Sequence, residues 1–355
     1  MQDLLLWQQR LRHVLAPPAA FAALVMRLRE GLYSRKYLPS WAPPSPVVGV
    51  GGIDPQARGK VMVSAWLMGW AKARGLSHTL LTSPGEASPQ DLPLSVMAAT
   101  HASECGAEAA LLARYRPDAV ILADDNPVRA GKSAWKAVSP DLIILHGFFS
   151  TLSVRRKADI VLLSAHDLDR GWNRPFPAGS WREGAGALKR ATGFVLHIWP
   201  DEVPLRAKLA ERRLASLEKP VFTVHPRIWR LRTADGRTAT DLGGEPYLLV
   251  AAQSNQDVAA KAAQAFLGLP PRLRVIFPDS HRFTSHDQAQ IAADSTRMRA
   301  PHILATPEAA LRLGDVPGKT LWTYDPDVVL GPCLLSGQAF TPWWEGVWAG
   351  MAPQS

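Results

Sequence analysis

Four apolar residues at 47–50 (VVGV) run into Gly51 and Gly52, and a little further on Gly59-Lys60 opens a stretch of helix-forming composition, 60–74, that ends at Gly75. This strand–glycine–helix layout constrains the fold more than any other feature of the chain, because the same alternation then repeats. Residues 79–82, 119–123, 141–145 and 160–164 are short apolar runs of strand type, and 107–114 is helical in composition. Short buried strands alternating with helices specify an α/β fold, a parallel sheet covered by helices on both faces.

The pattern changes after about residue 220. Segments 221–224 and 229–231 flank polar stretches, Ala234-Asp235-Gly236 is a hairpin-type turn, and three strand–helix units and a last strand at 319–324 follow. A chain of 355 residues accommodates two domains of roughly 100–200 residues each. The expected division is an arm at 1–45, a P-loop-like domain at 46–219, a smaller α/β domain at 220–325 and a tail at 326–355 that holds Trp343, Trp344 and Trp348.

The arm is amphipathic. Leu4, Leu5, Trp7, Leu11, Val14 and Leu15 fall near helical spacing, and beyond the expected break at Pro17-Pro18 so do Phe21, Leu24, Val25, Leu28 and Leu32. Arg10, Arg12, Arg27, Arg29, Arg35 and Lys36 lie between them. Two readings fit: a helix lying in an anionic membrane interface, or one docked on the protein's own core. No apolar run reaches the ~18 residues that span a bilayer, and Asp3 stands where a secretory leader would be basic.

Lys+Arg number 40 against 31 Asp+Glu, a net charge of +9. Such a surplus attracts nucleic acid, acidic lipid head groups or a phosphorylated substrate. No nucleic-acid module and no interleaved aromatic and basic stripe is visible, so no nucleic acid is expected as partner. The two cysteines, Cys105 and Cys333, exclude a disulfide scaffold and a Cys-based zinc site and fit a reducing compartment.

A strand, glycines and a lysine at a helix start are the parts of a phosphate-binding loop. Backbone N–H groups cradle the phosphate, the lysine neutralises it and a following Ser/Thr holds Mg²⁺. Gly51, Gly52, Gly59 and Lys60 are the candidates here, with Asp54 at the first glycine of GxxxxGK[ST] and Val61 at its hydroxyl. The motif alone leaves open a chance Gly-Lys helix start. Asp124 and Asp125, closing the 119–123 strand, are the carboxylates best placed to hold a metal; the competing reading is a strand ending in an Asx-rich turn.

Five segments, in order, resemble the tetraacyldisaccharide 4'-kinase family of lipid A biosynthesis. The family's VGNLTVGGTGKT corresponds to 50–61 (VGGIDPQARGKV), its GDEPLLLAR to 106–114 (GAEAALLAR) and its PAGPLRE to 177–183 (PAGSWRE). Its FPDHHRFT corresponds to 277–284 (FPDSHRFT) and its TEKDAVKL to 306–313 (TPEAALRL). The resemblance, covering residues 1–325, implies a kinase that uses ATP and Mg²⁺ to phosphorylate the 4'-hydroxyl of a tetraacyldisaccharide 1-phosphate, the lipid A disaccharide precursor. It implies peripheral attachment at the cytoplasmic face of the bacterial inner membrane, whose anionic surface is a further partner. It also implies phosphate binding by Gly51, Gly52, Gly59 and Lys60 and catalytic roles for Glu108, Arg182 and Asp279. A solvated helix position for Glu108 and a helix cap for Asp279 are the competing readings. Ala107 stands at the acid of GDEP, and His146-Gly147-Phe148-Phe149 stands where DDGFQ supplies metal-side carboxylates. These departures keep an alternative open, a catalytically impaired member acting as a lipid-binding or scaffold protein at the membrane.

Overall fold

The computed structural model of the chain describes residues 12–55, 57–85, 87–253, 255–278 and 281–351. It forms two compact units: one reaches Val224 and resumes at Leu330, the other is His225–Val329.

The strands of the first unit are β1 (Val47–Gly52), β2 (His78–Thr82), β3 (Leu94–Ser95), β4 (Val120–Ala123), β5 (Leu142–His146), β6 (Ala158–Leu163), β7 (Gly193–His197) and the start of β8 (Val221–Arg232). Their order is β8-β7-β6-β1-β5-β2-β4-β3. All pairings are parallel except the short β3–β4 edge. Every residue of β1, β5 and β6 is buried, which is why these strands read as unbroken apolar runs rather than alternating ones. The helices are α1 (Arg12–Ser34), α2 (Lys60–Ala73), α3 (Ala102–Cys105), α4 (Ala107–Tyr115), α5 (Pro127–Val138), α6 (Ala165–Leu168) and α7 (Val203–Leu214). They cover both faces. Val47, Leu81, Ile143 and Leu145 pack with Ala130 and Ala134 of α5, whereas His146, one residue past Leu145 and so on the opposite face, meets Ser64 of α2.

The arm differs from expectation. Pro17 and Pro18 lie inside one continuous α1, although each removes a donor from the helical ladder. The helix docks through the buried Ala19 and through its C-terminal half, where Arg29 donates to Ser150 O at 3.3 Å and Glu30 pairs with Arg190 at 3.1 Å. The connector after it is pinned as well. Trp41 bonds through its amide to Ser153 O and lies against Gly131, where a Cβ would come within 2.0 Å of its ring. Only glycine fits there.

The second unit begins inside β8. This strand runs without a break through the polar stretch between 224 and 229, because Pro226, Ile228 and Leu231 are buried while Arg227 and Trp229 face solvent. The turn at 234–236 joins it to the antiparallel β9 (Thr238–Ala239). Then follow β10 (Tyr247–Ala252), α8 (Gln256–Leu267), β11 (Leu273–Phe277), α9 (Ser285–Arg297), β12 (His302–Ala305), α10 (Pro307–Leu313) and β13 (Thr320–Gly331). Strands β11-β10-β12-β13 form a parallel sheet over a core of Val250, Ile291, Ile303, Ala305 and Leu313. The chain then returns to the first unit, where the tryptophan-rich end forms α11 (Phe340–Ala349). Its rings stack edge-on against α2, Phe340 on Trp66 at 5.0 Å and Trp344 on Trp70 at 5.6 Å.

Candidate phosphate-binding site

The turn from β1 into α2 is tight, and its glycines are required. A Cβ on Gly52 would lie 2.2 Å from that of Ala57. Gly59, at the N-cap of α2, has φ 84°, and a Cβ there would meet Leu162 at 2.9 Å. The first bond of the helix runs from the Val63 N–H to Gly59 O, so the N–H groups of Lys60, Val61 and Met62 lie at its open end. A helix N-terminus of this kind carries partial positive charge and attracts anions.

Lys60 is the first residue of α2 and its side chain is only 9% exposed. Its Nζ donates to Pro55 O at 3.2 Å and pairs with Glu108 Oε2 at 3.1 Å. Glu108 sits in the first turn of α4, which starts at Gly106 with φ 85°. His146, ending β5, approaches the same oxygen with Nε2 at 3.1 Å, while its Nδ1 meets Ser64 Oγ at 2.9 Å. Partial desolvation of the half-exposed Glu108 opposes its ionisation, but the charge of Lys60 and hydrogen bonds from His146 and Lys60 outweigh it and hold the carboxyl at about 2. Glu108 is therefore an anion at neutral pH and a weak base.

The structure thus gathers Gly51, Gly52, Gly59, Lys60 and Glu108 at the C-terminal edge of the sheet. It adds Arg182: its N–H donates to Ile53 O at 3.0 Å, and Ser180 donates to Asp54 at 2.6 Å, so the 177–183 segment straps the phosphate loop. The Arg182 side chain is exposed. Asp279 lies outside the described residues. The helix after it, α9, is capped by Thr284 with Asp287, and His281 bonds to Asp287.

The metal role expected for Asp124 and Asp125 is not the one their placement supports. Both oxygens of the fully buried Asp124 side chain bond the Arg129 guanidinium, at 2.6 and 2.7 Å, and one also accepts from the Asn126 N–H. Asp125 accepts from Ser83. Their strand, β4, is three places from β1 in the sheet, about 14 Å at the usual strand spacing. Among the described residues no group of three or more His, Cys, Asp or Glu is arranged to hold a metal. Burial opposes ionisation of Asp124, yet Arg129 and the Asn126 amide hold its carboxyl below the usual range. Its contribution to stability is therefore present above the ordinary carboxylate pKa of about 3.9 and is lost as pH falls below it. Asp124→Asn is expected to remove this part of the acid dependence, read as a flatter stability profile between pH 5 and pH 2 in urea titrations; an unchanged profile would count against the assignment.

Sequence reasoning missed Ser64 and gave His146 no partner. The signal available was the four-residue spacing of Lys60 and Ser64, which puts both on one face of α2.

A parallel sheet whose first strand turns through glycines to set a lysine on an open helix N-terminus defines a P-loop-type, phosphate-binding α/β protein. The family model for tetraacyldisaccharide-1-P 4'-kinase (LpxK) matches residues 11–334. The chain belongs to this family and is a kinase. Tetraacyldisaccharide 4'-kinase of Nitratidesulfovibrio vulgaris is 34% identical over 97% of this chain and 96% of its own length. That of Oleidesulfovibrio alaskensis is 32% identical over 97% of this chain and 98% of its own. The structure of LpxK from Aquifex aeolicus in complex with ATP aligns with a TM-score of 0.70 at 19% identity, over 97% of this chain and 100% of that one; at this identity the likeness is one of fold. Relatives this similar over nearly their whole length are named as kinases, which lends no support to a family member without catalysis.

Proposed function

We propose that the chain transfers the γ-phosphate of ATP to the 4'-hydroxyl of a tetraacyldisaccharide 1-phosphate, the lipid A precursor, at the cytoplasmic face of the inner membrane. The observation that carries this reading is the buried Lys60 on the open N-terminus of α2, at the end of a glycine-bounded turn. Lys60 and the N-terminal N–H groups of the helix bind the phosphates, and Gly52 and Gly59 hold the packed turn that presents them. The exposed Arg182, tied to the same loop, supplies a second cation. Glu108, ionised and half-exposed, is the carboxylate that would hold Mg²⁺ beside phosphate oxygens and water, the mixed coordination this ion favours. When bound, Mg²⁺ neutralises charge on the transferring phosphoryl group. Asp279 completes the proposed catalytic set. Incubating the purified chain with γ-labelled ATP, Mg²⁺ and the tetraacyldisaccharide 1-phosphate tests the reading directly: label in the lipid is expected, and ATP binding without transfer to that acceptor would overturn the substrate assignment.

The arm supports a membrane setting. No helix among the described residues is long and apolar enough to cross a bilayer. With Arg29 and Glu30 engaged by the core, α1 leaves Val14, Phe21, Leu24, Val25, Leu28 and Leu32 exposed, Phe21 by 68% and Leu28 by 61%. An apolar helix face flanked by Arg27, Arg35 and Lys36 suits an anionic lipid interface. Changing Phe21, Leu24 and Leu28 together to serine removes at least about 1 kcal/mol of apolar transfer each. Binding to anionic liposomes is expected to weaken by roughly 10²-fold, with the folded core intact; cosedimentation equal to that of the unaltered chain would make this face structural.

A further inference from the structure

We infer that His146 is a positioning residue for this reaction: anchored through Nδ1 on the Ser64 hydroxyl, it donates Nε2–H to Oε2 of Glu108 and leaves Oε1 open to a cation. The inference rests on the phosphotransferase reading above and deepens it.

The geometry is specific. The His146 ring is 1% exposed and Ser64 is fully buried, yet both ring nitrogens are partnered. Buried polar groups persist where every member of the network is satisfied. Lys60 and His146 both converge on Oε2, and among the described residues Oε1 has no hydrogen-bond partner. Glu108 itself is 46% exposed. One oxygen is therefore held twice by the protein, on a side chain that is itself half-exposed.

Lys60 cannot supply this orientation throughout the reaction. Its ammonium now rests on Pro55 O and Glu108, and phosphate oxygens in the cradle would draw its hydrogen bonds away from both. His146 has no such competing task. It comes from β5, the strand paired directly with β1, and is braced by the second turn of α2, so it keeps Oε2 in place while Lys60 turns to the nucleotide. An imidazole is also a poor ligand for Mg²⁺, which prefers oxygen, so His146 serves the metal through Glu108 and not by coordination. Partners that orient a ligating carboxylate have measurable weight: their loss typically costs about 10–100-fold in metal affinity or activity.

The test is calorimetric titration of the full chain with ATP, with and without Mg²⁺, alongside kcat and KM, for the wild type, His146→Leu, His146→Gln and Ser64→Ala. Leucine fills the space of the ring without a donor; the glutamine amide places a donor where Nε2 now lies. For His146→Leu, ATP binding without Mg²⁺ is expected to be unchanged. The gain in affinity on adding Mg²⁺ and the kcat are each expected to fall by about 10–100-fold, with KM for the lipid held. His146→Gln should recover most of both, and Ser64→Ala should fall between them. His146→Leu with an undiminished Mg²⁺ gain overturns the inference, and so does His146→Gln falling as far as leucine, since the packing of the ring and not its donor would then matter. If the leucine variant does not fold, Ser64→Ala decides on the same readouts. A wild-type chain that binds no ATP under either condition overturns the phosphotransferase reading and this inference with it, whereas wild-type binding with an unaffected leucine variant overturns the inference alone.

Discussion

Lys60→Ala is expected to lower kcat/KM by about 10²–10³-fold, the usual cost of removing one preorganised donor from a developing charge. The Lys60 ammonium is nearly buried, and its two contacts, Pro55 O and Glu108, place it directly over the phosphate loop. Alanine removes the point charge at the helix end and also deprives Glu108 of the cation that does most to hold it ionised. Loss of ATP binding by calorimetry and loss of transfer should appear together. Arginine is not expected to rescue, because its planar fork does not reproduce the compact point charge of an ammonium. A variant with kcat/KM within tenfold of the wild type would show that the phosphates are held elsewhere.

Arg190→Met is expected to cost about 3–5 kcal/mol of stability, the range for removing one partner of a buried ion pair. Arg190 bonds both oxygens of the buried Glu183, at 2.7 and 3.0 Å, pairs with Glu30 on the arm at 3.1 Å and lies 4.6 Å over the ring of Phe149. Methionine keeps the stem but leaves Glu183 buried without its cation. Urea unfolding reads the loss, and proteolysis within 12–34 should accelerate, since the arm loses its Glu30 anchor. Glu30→Gln removes only the outer, half-exposed partner and should cost less than about 1 kcal/mol. If Arg190→Met destabilises no more than Glu30→Gln, this ion pair does not hold the arm.

The fold was legible because its signals are local. The apolar runs at 47–50, 141–145 and 160–164 became β1, β5 and β6, each within a residue or two at its ends, since a strand buried on both faces is apolar at every position. Hydropathy failed where it is a poor guide. Pro17 and Pro18 stay inside α1, where the neighbouring Ala19 is buried, a tertiary contact that the local preference for a break does not reveal. The polar stretch within 221–232 is strand because alternate residues face the core.

Of the candidate site, the loop glycines, Lys60 and Glu108 were legible through motif and resemblance. Asp124 admitted two readings, a metal carboxylate or an Asx turn closing a strand; the Asn126 N–H on its oxygen is the turn, and Arg129, five residues on in the first turn of α5, closes on both oxygens. Ser64 and His146 are 82 positions apart, so their bond could not be read from either neighbourhood.

By itself the sequence determined the alternation of strand and helix, the glycine-bounded turn that delivers Lys60 to a helix start, and the amphipathic arm, because backbone conformation and hydrophobic period are properties of neighbouring residues. Which carboxylate meets that lysine was decided only by the tertiary structure. Pairing β5 with β1 on one side and β2 on the other carries His146 to the mouth of the loop, and the packing of α2 and α4 brings Ser64 and Glu108 to its two nitrogens. Hydrogen bonds and ion pairs reach only about 3–4 Å, so residues far apart in the chain become partners only when strand order and helix packing bring them that close.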